Sequence, residues 1–121
     1  MVDPKVVYEW LNKADEDFNF ADANLSEGNN FYAQICFHFH QAAEKYLKAF
    51  IIAYDLEFEK IHNLINLLKI CGKQESSLLS LLEECELLNP FYSVSLSQEC
   101  RLTQITRITP NLSRGLFLLD I

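Results

Sequence analysis

Residues that interrupt regular structure are scarce in this chain, with three Gly and three Pro among 121 residues. Sandwiches and barrels need turn signals roughly every 8–12 residues, so the scarcity favours long helices over a turn-rich β architecture. Apolar runs are short as well. None approaches the ~20 residues that span a bilayer. The start MVDPKVVYEW lacks a basic segment leading into an apolar core, so neither a membrane helix nor a secretory leader is expected. The expected location is the cytoplasm, with no membrane contact. Cys36, Cys71, Cys85 and Cys100 show no Cys-x-x-Cys spacing and fall among apolar residues, which predicts reduced, buried thiols. No glycine-rich phosphate loop occurs, and no strand pattern supports a dinucleotide fold. Positive charge is also in deficit, since 10 Lys and Arg against 17 Asp and Glu leave a net charge of −7. That argues against non-specific adhesion to nucleic acid while leaving room for a local basic site.

Half of the residues are hydrophobic and 22 % are charged, the balance of one globular domain over residues 1–121. Asp3 and Pro4 form a favoured N-cap and first-turn pair for helix one. Val7, Trp10 or Leu11, Ala14, Phe18, Ala21 and Leu25 follow at spacings of three and four. Its other face carries Glu9, Asp15, Glu16, Asp17 and Asp22. Neighbouring side chains point about 100° apart on a helix, so three consecutive carboxylates cannot meet on one ion, and this face is expected to be solvated. SEGNN supplies a turn in which Asn29 or Asn30 can cap helix two, expected over Phe31 to Tyr54. Helix three is expected around Ile61 to Cys71 with Gly72 as its C-terminal cap, and a Leu-rich helix four near Glu75 to Leu88, stopped by Asn89-Pro90. Phe91 and Tyr92 should pack against the bundle. Pro110-Asn111 can open a short fifth helix.

Helix two is unusual. Gln34, His38, Gln41, Lys45 and Lys48 fall in a band about 80° wide, while Cys36, Phe39, Ala43, Tyr46, Leu47 and Phe50 lie opposite. So wide an apolar surface requires helices around it, which makes this the central element of an all-α bundle. The polar stripe either hydrogen-bonds a neighbouring helix or lines a recess in which His38, Lys45 and Lys48 meet an anion such as a phosphate. Glu44 and Lys48 form a favourable i, i+4 ion pair. His38 and His40 point about 160° apart and cannot share an ion, and Cys36 with His40 supplies only two ligands. No metal site and no cofactor is expected.

The run FHFHQAAEKYLKAF resembles the second-helix signature of HEPN domains. WLNKADEDFNFADANL is similar to the family's first helix, IHNLINLL to its turn into helix three with Asn63 in place of the usual Asp, and LNPFY to the segment after helix four. These stretches occur in order over residues 8–92. The resemblance implies an up-and-down bundle of four to five helices, a homodimer, and a cytoplasmic prokaryotic protein paired with a minimal nucleotidyltransferase. Many HEPN proteins are RNA-cleaving toxins whose catalytic motif is an Arg, four to six residues, then a His. Here the last His is His62 and the first Arg is Arg101, so that motif is absent. The expectation is therefore a non-enzymatic, toxin–antitoxin-like partner of a nucleotidyltransferase-like protein. It would bind nucleotide or RNA through His38, Gln41, Lys45 and Lys48, with no catalytic residue assigned. The alternative is a ribonuclease using non-standard residues such as His38 or His62.

Residues 93–121 depart from the family pattern that residues 1–92 keep. All seven Lys precede residue 74, whereas all three Arg and all three Thr follow residue 100. The switch suggests a divergent or frame-altered C-terminus. Mass spectrometry of the native protein with resequencing of the locus tests this, and an intact frame carrying this tail refutes it.

Overall fold

The computed structural model describes residues 3–57 and 63–92, all of them helix or short connection. Four α-helices occur among them: α1 (Pro4–Ser26), α2 (Tyr32–Ala53), α3 (Leu64–Gln74) and α4 (Leu82–Leu88). A 3-10 segment, Ser76–Leu81, leads into α4, and a shorter one, Asn89–Phe91, follows it. The expected all-α bundle is the observed one. The fifth helix and the rest of the 93–121 tail lie outside the described residues. Among the described residues, no helix is long and apolar enough to cross a membrane.

In α1, Asp3 caps the start by accepting from the Lys5 amide at 3.0 Å, with Pro4 in the first turn. Its apolar stripe buries Val7, Leu11, Ala14 and Ala21 against α2, flanked by partly buried Trp10, Phe18 and Leu25. Gly28, at φ +77°, takes the left-handed turn that lets α2 fold back. Contacts between the two helices descend one as they ascend the other: Trp10 with Lys48, Asp15 with Tyr46, Phe18 with Phe39 and Phe20 with His38. The pair is antiparallel. Asn29 does not cap α2. It donates to Asn24 Oδ1 at 2.9 Å, and Phe31 stands at the N-cap without a side-chain cap bond.

α2 buries twelve of its 22 residues, and its neighbours are packed on most sides, as its wide apolar surface requires. Asp55 closes it at φ +53°, a left-handed turn in which the Leu56 amide returns to the Ile51 carbonyl at 2.9 Å. Asn63 caps α3 by accepting from Ile65 N at 3.0 Å and Asn66 N at 3.2 Å. Asn89, at the far end of α4, accepts from Leu64 N at 2.9 Å. Three of the orphan amides at the α3 start are thus satisfied by two asparagines.

Several sequence-based boundaries move. Gly72 does not end α3, which continues to Gln74. It is buried inside the helix because the Leu79 side chain packs onto it, and a Cβ there would stand 2.8 Å from Leu79 Cγ. The expected helix from Glu75 begins as 3-10 and becomes α only at Leu82. Phe91 is buried, but Tyr92 is exposed rather than packed. Cys71 and Cys85 are free and buried, and burial pushes both thiols up to about 12. Cys36, contrary to expectation, is disulfide-bonded.

Candidate functional site

The polar stripe of α2 faces carboxylates of its own chain. His38 and Lys45 stand seven residues apart, two turns of helix, so both project from one side. Asp17 on α1 lies between them: His38 Nδ1 is 3.0 Å from Asp17 Oδ1, and Lys45 Nζ donates to Asp17 Oδ2. A carboxylate only accepts, so the proton of the neutral imidazole sits on Nδ1 and its Nε2 carries the lone pair. The His38 side chain is 30 % exposed and that of Asp17 15 %. Both groups are therefore partly open to solvent. Phe20 and Phe37 flank the ring, at centroid distances of 4.5 and 5.2 Å. One residue along α2, Tyr46 donates to Asp15 from a buried position.

A second cluster lies one turn further along. Lys48 Nζ is 3.3 Å from Glu44 Oε2 and 5.9 Å from the Trp10 ring centroid, within cation–π reach. Glu44 Oε1 is 3.7 Å from Nε2 of His40, which is fully buried. His40 Nδ1 donates to the Leu88 carbonyl at 2.9 Å and ties α2 to the end of α4. Its Nε2 has no hydrogen-bond partner among the described residues. At 3.7 Å this atom and Glu44 Oε1 lie beyond hydrogen-bond distance.

Of the four residues proposed from sequence, His38 and Lys45 are brought together at Asp17, Gln41 lies half-buried between them, and Lys48 belongs to the Glu44 cluster. The expectation of a solvated acidic face on α1 fails at Asp15 and Asp17. Both are half-buried and both bond to α2. Each flanks the apolar stripe beside Ala14 and Phe18, so the fold packs them against the one helix whose wet side carries imidazole and ammonium groups. Among the described residues, no group of three or more His, Cys, Asp or Glu could hold a metal ion.

A HEPN domain family model matches residues 7–96, and the chain belongs to that family. Comparison with curated proteins and with solved structures found no match.

Proposed function

We propose that this chain is a non-catalytic HEPN module that acts by binding. Its partners are a second copy, a nucleotidyltransferase-like protein in a toxin–antitoxin-like pair, and a nucleotide at the stripe of His38, Gln41, Lys45 and Lys48. The observation that carries the reading is the order of residues in the chain. His62 is the last His and Arg101 the first Arg, so the family's Arg-to-His catalytic pair has no place to form. The stripe supports a small ligand rather than a long polyanion. Lys45 and Lys48 already face Asp17 and Glu44, and a chain at −7 repels extended RNA. Val6, Tyr8 and Tyr54 are exposed and offer apolar surface to a protein partner. Co-purification with the product of the adjacent gene tests the pairing, and sedimentation tests the dimer. Titration with ATP should show binding that weakens in Lys45→Ala and in Lys48→Ala. Unchanged affinity in both variants removes these residues from the site.

A second reading, ribonuclease activity through non-standard residues, has one specific support. Asp17 holds His38 through Nδ1 at 3.0 Å while the side chain stays 30 % exposed, the arrangement of a positioned general base or acid. Incubation of the purified protein with total RNA decides between the two. Cleavage abolished by His38→Ala establishes the enzyme, and intact RNA with the wild-type protein removes it.

A further inference from the structure

Beside His38, at the end of the α1–α2 hairpin nearest the turn, lies a cleft of about 290 Å³ lined by Phe20, Asn24, Phe31, Gln34 and Ile35. Two of its walls are phenyl rings, 50 % and 62 % exposed. Phe31 is there at a double disadvantage. It occupies the N-cap of α2, where Asn, Asp or Ser would satisfy an orphan amide, and it makes no cap bond. It also shows most of its ring to solvent. Asn30, a competent cap, is its immediate neighbour. Neither the missing cap bond nor the exposed ring stabilises the fold.

We propose that this cleft seats the flat ring of a nucleobase between Phe20 and Phe31, with Gln34 meeting its polar edge. The assignment rests on the nucleotide reading above and names the part of the ligand that the stripe does not hold. The volume lies at the small end of ligand sites, which run from roughly 300 Å³ upward, and fits a ring system rather than a helix. Aromatic side chains hold bases by stacking, which every base offers. The polar groups are placed to match. Asn24 is committed, donating to the Phe20 carbonyl at 2.8 Å and accepting from Asn29 at 2.9 Å, and so forms a fixed wall. Gln34 is exposed and makes no hydrogen bond among the described residues, so its amide can present a donor and an acceptor to a base edge. Phe20 belongs both to the cleft and to the His38 ring pair. A base seated here therefore lies next to the start of the charged stripe, and its sugar and phosphate lead toward Lys45.

Calorimetry or equilibrium dialysis on the full chain with ATP, adenosine and inorganic tripolyphosphate tests the seat. ATP should bind more tightly than tripolyphosphate. Phe20→Leu and Phe31→Leu keep apolar bulk and remove the rings, and each should weaken ATP and adenosine roughly 5- to 150-fold while leaving tripolyphosphate unchanged. Circular dichroism confirms that both variants stay folded. Tripolyphosphate binding as tightly as ATP, or ATP affinity unchanged in both variants, overturns the base seat and leaves the stripe reading standing. A wild-type chain that binds none of the three probes overturns both. Loss of a dimer in Phe31→Leu with ATP affinity unchanged assigns the cleft to a second copy and overturns the proposal.

Discussion

Removing the Asp17 carboxylate should loosen the α1–α2 seam and release His38 from its fixed orientation. Asp17 accepts from both His38 and Lys45 at side-chain exposures of 15, 30 and 25 %. The contacts are therefore screened more than buried ones and less than surface ones. Exposed pairs contribute about 0–1 kcal/mol, and breaking a fully buried pair costs about 3–5. Bonds to charged groups contribute about 1.5–3 each when well shielded. A discounted sum for Asp17→Ala is ~2 kcal/mol, which at about 4 °C per kcal/mol lowers Tm by roughly 8 °C. Asp17→Asn keeps an acceptor oxygen and loses the charge, so about half that effect is expected. A double-mutant cycle in urea between Asp17→Ala and Lys45→Ala should give a coupling near 1 kcal/mol that shrinks in 1 M salt, where the screening length is about 3 Å. Nitrogen chemical shifts of His38 provide a second readout. The Nδ1–H tautomer should dominate in the wild type and give way to Nε2–H in Asp17→Ala. A coupling below about 0.3 kcal/mol together with an unchanged tautomer would refute the reasoning and return Asp17 to the solvated face.

Three further outcomes follow from the core. His40→Ala should cost about 2–4 kcal/mol in urea unfolding, because it leaves a cavity and strips the Leu88 carbonyl of its donor. A cost under ~1 kcal/mol would mean that water reaches the carbonyl. Gly72→Ala should gain about 1 kcal/mol of helix propensity and lose more to the displaced Leu79. Because Leu79 is 45 % exposed, adding Leu79→Ala should restore stability above the single variant, and additive effects would contradict that contact. Cys71 and Cys85, raised from 9.0 to about 12 by burial, bind protons in the folded state that the unfolded chain releases. Their contribution to stability is complete below pH 9 and is lost as pH rises towards 12, so unfolding midpoints should fall across that window. Neither thiol should react with a disulfide reagent at pH 8 until the protein unfolds.

The two long helices were legible in the sequence because each carries one strong signal: the Asp3-Pro4 start with a three-and-four stripe in α1, and the wide apolar surface in α2. Family motifs fixed their order. What a single-helix pattern cannot show is which neighbour a wet face meets. Asp17 sits on the flank of α1 and reads as solvated until α2 is laid antiparallel beside it, when it falls between His38 and Lys45. The stripe was therefore legible and its counter-charge was not. Helix three ran past Gly72 because the residue's small size answers to Leu79, a contact seven residues away that propensity cannot register. The 3-10 stretch was hidden for a related reason. Leu78 and Leu81 are three residues apart and both buried, a spacing that α and 3-10 turns share.

The bond from Leu64 N to Asn89 Oδ1 has a consequence for how the bundle breathes. First-turn amides of a helix have no carbonyl four residues back within the helix. Protection of the Leu64 proton from exchange therefore depends on Asn89 and not on the integrity of α3. When the end of α4 lifts away, Leu64 should exchange while the amides of the later turns of α3 remain protected. A single backbone proton thus reports the opening of one end of the domain, separately from the melting of the helix on which it lies.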